Sequence, residues 1–266
     1  MKNYTIITGA CGGLGQSFVK LLAEEKNNLI LTGTSQKKLD KLVKEFKDKF
    51  EGIDVKTFVL DLGKLDDRKA FVGFLTSEKL NVNRLINNAG VIIEGDMVRF
   101  SDEEIMKTIE VNCIGTLDLT KKVLKIRDES QKFEVLTVSS LSSSYPIPHM
   151  AVYSATKAFL TSMMTSLSVE FKKQNVVVST TNPGGMATND AMKESIKSMG
   201  FGGKLSTLPT DKVAKIALKG LKKKKANTIP GFFNKILALM SKPFSKKFMA
   251  VSSGKIYAKS QSKRGF

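Results

Sequence analysis

The chain has 266 residues, of which 41% are hydrophobic, so it can bury one sizeable core and suits a single large α/β domain. Its two cysteines cannot form a disulfide framework, and no Cys/His cluster has the spacing of zinc ligands, so we predict no metal site and a reducing, cytoplasmic setting. The net charge of +18 attracts polyanions, but no nucleic-acid-binding motif accompanies it, so we expect no nucleic-acid partner.

Short apolar runs rich in β-branched residues alternate with helical patterns along most of the chain. A helix begins at the capping box formed by Ser101 and Glu104, and another covers 150–173. The alternation predicts a Rossmann-type, doubly wound parallel sheet with helices on both faces, in one domain spanning residues 1–266. Such sheets bind ligands at the carboxyl ends of their strands. The predicted strands are 4–8, 28–34, 55–62, 84–90, 134–140 and 176–185.

The first strand runs into a glycine-rich loop, TGACGGLG at 8–15, which also opens the first helix. Gly9 permits the tight turn, Gly13 lets the backbone approach a pyrophosphate, and Gly15 allows close packing of helix on sheet. Leu14 belongs to the same cofactor-binding loop. Because the helix N-terminus offers free N–H groups to phosphates, the loop predicts dinucleotide binding.

The segment after the second strand, GTSQKKL at 33–39, indicates which dinucleotide binds. An NAD site carries a carboxylate here for the ribose 2′-hydroxyl, and this segment has neither Asp nor Glu. Thr34, Ser35, Lys37 and Lys38 offer hydroxyl and cationic groups instead, which suit a 2′-phosphate. We therefore expect NADP(H) to be favoured over NAD(H), although lysines that simply face solvent would give the same pattern.

The sequence YSATK at 153–157 places Tyr153 and Lys157 on one face of a helix. This spacing is common by chance, and the other polar motifs give it meaning. Ser140 lies thirteen residues before Tyr153, at the end of the fifth predicted strand. NNAG at 87–90, Asn112 and PGGMAT at 183–188 lie at or after other strands.

Together these motifs resemble those of the short-chain dehydrogenase/reductase family, in its compact single-domain form, over about residues 3–190. The resemblance implies that Tyr153 is the general acid/base and that the positive charge of Lys157 lowers the pKa of Tyr153. Lys157 would also hydrogen-bond the nicotinamide ribose. Ser140 would hold the substrate oxygen, and Asn112 would anchor a water that links Lys157 to solvent.

The resemblance also implies further cofactor contacts. Asp61 would contact the adenine, although a turn or helix cap is an equal alternative. The NNAG segment would line the adenosine ribose, stabilise the central strand, or do both. The residues implied in these contacts are Asp61, Asn88, Ala89, Gly90, Pro183, Gly184 and Thr188.

The resemblance is loose after Thr188, where substrate is selected. Residues 191–206 are predicted to form either a lid over the substrate or an ordinary surface segment. Residues 227–266 form a variable apolar and basic extension. The extension can pack over the pocket or against a second subunit, or it can contact an anionic membrane. We favour packing. Its apolar residues include Phe232, Phe233, Ile236, Leu237, Met240, Phe244 and Phe248.

The sequence thus predicts an NADP(H)-dependent oxidoreductase that interconverts a carbonyl and a secondary alcohol. We expect a hydrophobic small-molecule substrate, such as a steroid-like or fatty ketone, and a homodimer or homotetramer. Two alternatives stay open on the same fold: a non-catalytic dinucleotide-binding regulator and a peripheral membrane-associated protein.

Overall fold

A computed structural model of the protein describes residues 2–187, 203 and 205–261, with side chains described as far as 255. Its strands are β1 Asn3–Ile7, β2 Asn28–Gly33, β3 Val55–Val59, β4 Asn81–Asn87, β5 Phe133–Val138, β6 Val176–Thr181 and β7 Asn227–Thr228. Its helices are α1 Gly13–Glu24, α2 Gln36–Glu45, α3 Leu65–Ser77, α4 Asp102–Ile109, α5 Thr116–Lys125, α6 Ala151–Glu170, α7 Thr210–Lys222, α8 Phe232–Met240 and α9 Lys246–Gln261.

Within the described residues, the strands form one parallel sheet in the order β3-β2-β1-β4-β5-β6-β7. The predicted doubly wound α/β fold is therefore confirmed. The strand order reverses between β1 and β4, and the carboxyl ends of these two strands flank the crevice in which such sheets bind ligands.

The core lies on both faces of the sheet because neighbouring side chains of a strand point to opposite sides. Ile6 and Val135 pack with Phe71 and Met164 on the face covered by α3, α5 and α6. Their neighbours Ile7 and Leu136 pack on the other face with residues of α1, α2 and α7, such as Phe18, Leu39 and Val213.

Local sequence signals differ in how well they located these elements. The capping box is present: the Ser101 hydroxyl accepts the Glu104 N–H, and the Glu104 carboxylate accepts the Ser101 N–H. The third predicted strand was too long, because Leu60 and Leu62 are buried but lie in the loop after β3. The strand β7 was not predicted, because at two residues it is too short to show alternation.

None of the helices in the part of the chain that the structure describes is long and apolar enough to span a lipid bilayer.

Candidate active site

The glycine loop after β1 forms a cradle for a phosphate group. Gly9 has φ +62°, and an added Cβ would lie 2.9 Å from Cα of Ala89. A Cβ on Gly15 would collide with the carbonyl oxygens of Gly9 and Ala10, so the helix can sit this close only with glycine there. The N-cap of α1 is Gly12, which supplies no side-chain cap, and the first turn has no acidic residue. The first N–H groups of α1 therefore remain available, and the cradle fits a dinucleotide pyrophosphate.

Thr8, which the sequence analysis left without a role, fixes this loop to the end of β4. Its hydroxyl oxygen accepts the N–H groups of Asn88 and Ala89, each at 3.0 Å. The Asn88 amide in turn donates to the carbonyls of Thr8 and Gly9, each at 3.0 Å. The NNAG segment thus stabilises the crevice, and its contact with the adenosine ribose stays a prediction.

The four residues expected near a 2′-phosphate, Thr34, Ser35, Lys37 and Lys38, lie where β2 meets α2. Thr34 and Lys38 are exposed, whereas the Ser35 hydroxyl caps α2 by accepting the N–H of Lys38 at 3.4 Å. Burial raises the pKa of the Cys11 thiol, and the positive charge of Lys38 nearby offsets part of that rise. The lysine therefore lies beside the glycine loop, as a contact to a 2′-phosphate requires.

Other predicted cofactor residues have structural roles in the described chain. Asp61 forms a turn, since Oδ1 accepts the N–H of Gly63 at 2.9 Å, and its adenine contact stays a prediction. The Pro183 carbonyl accepts the N–H of Leu141 at 2.8 Å, and Gly184 packs closely against Asn234. Thr188 and almost all of the predicted lid at 191–206 lie outside the described residues.

Tyr153 and Ser140 meet at the carboxyl end of β5. Tyr153 is buried in the first turn of α6, and its side chain shares a hydrogen bond with that of Ser140. Burial raises the pKa of Tyr153 to about 12, and the hydrogen bond to Ser140 offsets part of this rise. At neutral pH Tyr153 is therefore a buried, protonated phenol that can donate a proton.

Lys157 lies one turn further along α6 and is also buried. Its ammonium donates to the carbonyl of Val138 at 3.0 Å and lies 5.7 Å from the ring centroid of Tyr153. Burial lowers the pKa of Lys157 to about 8. Burial dominates the pKa of Tyr153, and the ammonium of Lys157 is directed to a backbone carbonyl, so the expected lowering of the Tyr153 pKa by Lys157 stays a prediction.

The two neighbouring serines after β5 have different partners, as strand alternation predicts. Ser139 donates to the carbonyl of Lys157 at 2.8 Å and accepts from Thr161 at 2.9 Å, so it holds α6 against the strand. Ser140 instead reaches Tyr153 and accepts the N–H of Ser142 at 3.1 Å. The geometry thus favours Ser140 over Ser139 as the substrate-side hydroxyl.

Asn112 lies in a π-helical turn, Glu110–Gly115, between α4 and α5. Its amide closes two hydrogen bonds with the backbone of Val91, at 2.8 and 2.9 Å, and donates to the Thr156 hydroxyl at 3.0 Å. Thr156 was not predicted, although it lies within YSATK. A Cβ on Gly90 would lie 3.3 Å from both Asn112 Oδ1 and Lys157 Nζ, so a small residue here lets these groups approach each other. The water that Asn112 is expected to anchor stays a prediction.

A cavity of about 230 Å³ borders the first turn of α6, next to Tyr153. His149, which adopts φ +64°, lies 2.7 Å from Asp96 through Nδ1 and closes one side. It is lined by Gly95, Asp96, Met97, Phe100, Pro148, His149, Ala151 and Val152.

The chain is similar to known sequences along most of its length. A family profile described as short chain dehydrogenase matches residues 3–199. The very-long-chain 3-oxoacyl-CoA reductase of Neurospora crassa is 36% identical over 177 residues, or 66% of this chain and 53% of that protein. The protein of the same name from Bos taurus is 33% identical over 192 residues, or 71% of this chain and 61% of that protein.

Solved structures are similar over nearly the whole chain. A short-chain dehydrogenase from Sphingobium yanoikuyae in complex with NADPH is 25% identical, with a TM-score of 0.75 over 90% of this chain and 96% of that one. A 7β-hydroxysteroid dehydrogenase has a TM-score of 0.83 at 21% identity, over 94% and 96% of the two chains, which shows the fold alone. The curated relatives are longer, since the matches span 50% to 61% of their length.

Proposed function

Because the chain belongs to the short-chain dehydrogenase family, we propose that it is an oxidoreductase that interconverts a carbonyl and a secondary alcohol with NADP(H). The observation that carries this proposal is the meeting of Tyr153 and Ser140 at the carboxyl end of β5, with the buried Lys157 one turn further along α6. A dinucleotide-binding regulator would not need these groups to converge at the carboxyl end of β5.

Each of these residues has a defined role when the carbonyl is reduced to the alcohol. Ser140 holds the substrate oxygen beside the phenol of Tyr153, and Tyr153 gives its proton to that oxygen. The bound nicotinamide supplies the hydride that the carbonyl carbon receives. Lys157, while protonated, stabilises the negative charge left on the phenolate, and the buried surroundings strengthen that interaction.

The preference for NADP(H) is supported by the charge around the end of β2. Lys38 lies beside the glycine loop, and residues 33–39 contain no carboxylate that would repel a 2′-phosphate. The Sphingobium yanoikuyae relative binds NADPH, which agrees with this choice.

A fatty 3-oxoacyl chain is the substrate we favour. The curated relatives named above are 3-oxoacyl-CoA reductases, and the cavity beside Tyr153 has Met97, Phe100 and Val152 among its lining residues. The hydrocarbon tail of such a substrate suits these apolar side chains because it needs no polar partner. Steroid-like ketones are the alternative substrates to assay beside it.

A homodimer or homotetramer is the assembly we favour. Leu117 on α5 and Phe159 on α6 are exposed apolar side chains that a second subunit would cover. Sedimentation equilibrium of the full chain measures the assembly directly.

The decisive experiment follows cofactor absorbance with a panel of 3-oxoacyl thioesters, ketones and secondary alcohols, using NADPH and NADH in parallel. We expect Tyr153→Phe to lower turnover by a factor on the order of 10³ or more, because the variant lacks the general acid and its positioning. NADPH binding should persist. Equal efficiency with both cofactors would contradict the NADP(H) preference. Turnover of Tyr153→Phe within a few-fold of the parent would refute the catalytic assignment. NADPH binding without turnover across the panel would favour the regulator.

A further inference from the structure

Helices α8 and α9 present apolar side chains to solvent. In α8 they recur every three to four residues, opposite the buried Asn234 and Ala238, and Phe232 is 80% exposed. The rings of Phe244 and Phe248 stack at 4.8 Å between centroids, and each is about half exposed. These apolar side chains are therefore not covered by packing against this chain's own pocket. We call these side chains the apolar face of α8 and α9, which comprises Phe232, Ile236, Leu239 and Met240 of α8, Phe244 of the segment between the helices, and Phe248 of α9.

The charge around the apolar face has one sign. From residue 212 to the C-terminus the sequence has 15 Lys and Arg and no Asp or Glu, so this end carries most of the net charge of +18. Lys235, Lys242, Lys246 and Lys247 alternate with the apolar residues and are exposed. Apolar side chains interleaved with lysines suit an interface in which acyl chains lie beneath anionic headgroups.

We propose that the apolar face of α8 and α9 docks on an anionic lipid surface. A second copy of this chain is the weaker occupant, because apposing the same face would bring two clusters of lysines together. At nine residues α8 is far shorter than the roughly 20 residues needed to cross a bilayer, so it would lie in the plane of the interface. This proposal does not depend on the reaction that the protein catalyses.

Hydrogen bonds hold the docking face next to the candidate active site. Asn234 donates to the carbonyls of Ser206 and Pro230, at 3.0 and 2.8 Å, and it packs against Gly184 after β6. On α9, Ser253 donates to the carbonyl of Pro146 at 2.9 Å, in the loop that leads to the cavity. Lipid contact would thus bring the cavity close to the membrane surface, from which a hydrophobic substrate could enter.

Vesicle sedimentation of the full chain tests the proposal, with vesicles of phosphatidylglycerol and phosphatidylcholine compared with phosphatidylcholine alone, at low and at high salt. We expect binding to the anionic vesicles only, and its loss at high salt. The triple variant Phe232→Ser/Phe244→Ser/Phe248→Ser should bind at least about tenfold more weakly, since its apolar anchors are gone. Its control, Val98→Ser/Val169→Ser, replaces two exposed apolar residues elsewhere and should bind as the parent does.

A charge variant separates the docking face from the overall charge. Lys235→Gln/Lys242→Gln/Lys246→Gln should weaken binding by about tenfold to a hundredfold. Removing the same charge from exposed sites on α4 and α5, in Lys107→Gln/Lys121→Gln/Lys125→Gln, should have a much smaller effect.

Three results would overturn the proposal. The first is no sedimentation with anionic vesicles at low salt. The second is binding that the two control variants weaken as much as the docking-face variants do. The third is a concentration-dependent dimer that the phenylalanine variant abolishes in the absence of lipid binding, which would assign the face to a second copy. Circular dichroism of each variant checks that it is folded, and the substituted side chains are exposed.

Discussion

Burial affects Tyr153 and Lys157 in opposite directions. It disfavours the charged form of each, so the pKa of Tyr153 rises to about 12 and that of Lys157 falls to about 8. The spacing of the motif predicts that the two side chains share a helix face, but it carries no information on how deeply α6 is buried. For this reason the positions of both residues could be predicted from the sequence, and the direction of the Tyr153 shift could not.

The low pKa of Lys157 makes both activity and stability depend on pH. Between about pH 8 and pH 10 the unfolded chain keeps a proton on Lys157 that the folded chain has lost, so the free energy of unfolding rises with pH. The rise from this group is on the order of 3 kcal/mol and should be absent in Lys157→Met. Carbonyl reduction should slow above pH 8, as the cation that stabilises the phenolate is lost.

Urea unfolding of parent and Lys157→Met at several pH values measures this effect as a difference. The difference is needed because burial also raises the pKa of Cys11 and Cys113, which lowers stability as these thiols ionise in the unfolded chain. A constant difference between parent and variant from pH 7 to about pH 10 would contradict the shift in Lys157.

At the level of elements, the local signals predicted most of the fold. The glycine loop, the capping box and the alternation of strands and helices each depend on short stretches of sequence. The loop and the box were located correctly, and the alternation predicted β1 to β6 but extended the third and sixth strands too far. The π-helical turn around Asn112 was not predicted. Gly115 in this turn comes close to the Leu62 carbonyl, and that contact cannot be recognised from the residues of the turn alone. A contact between residues more than fifty positions apart leaves no periodic pattern in either segment.

Two glycines of the first loop should respond differently to alanine. In Gly15→Ala the new methyl group meets two backbone carbonyls that cannot rotate away, so we expect a loss of about 3 kcal/mol in the free energy of unfolding. Gly12 has φ −75°, and an added Cβ would lie 3.4 Å from the nearest atom, so Gly12→Ala should cost less than about 1 kcal/mol. Urea titration measures both, and equal losses would argue against tight packing at Gly15.

At the scale of the whole molecule, the variable C-terminal end is joined to the sheet. The strand β7 extends β6, and α7 contacts α1 through Ser17, whose hydroxyl donates to Asp211 at 2.6 Å. Asn234 connects α8 to the segment around Ser206. In each connection at least one partner lies beyond the stretch that the family resemblance covers, so no motif could have predicted it.

Replacing Asn234 tests how strongly the C-terminal helices are attached. Asn234→Ala leaves the buried carbonyls of Ser206 and Pro230 without this donor, and we expect the free energy of unfolding to fall by roughly 2–3 kcal/mol. Asn227→Ala is the matched control: the residue is exposed and nearby, and its loss should cost less than about 0.5 kcal/mol. Thermal or urea unfolding compares the two, and a similar small loss in both would mean that other contacts hold α8.

The hydrogen bonds of Thr8 also determine when the glycine loop can form. The loop is encoded within the first fifteen residues, yet Thr8 fixes it to Asn88, 80 positions later. The entropy of closing so long a segment must be overcome before these contacts give any stability. The nucleotide cradle therefore has its full set of hydrogen bonds only when the carboxyl end of β4 lies beside it.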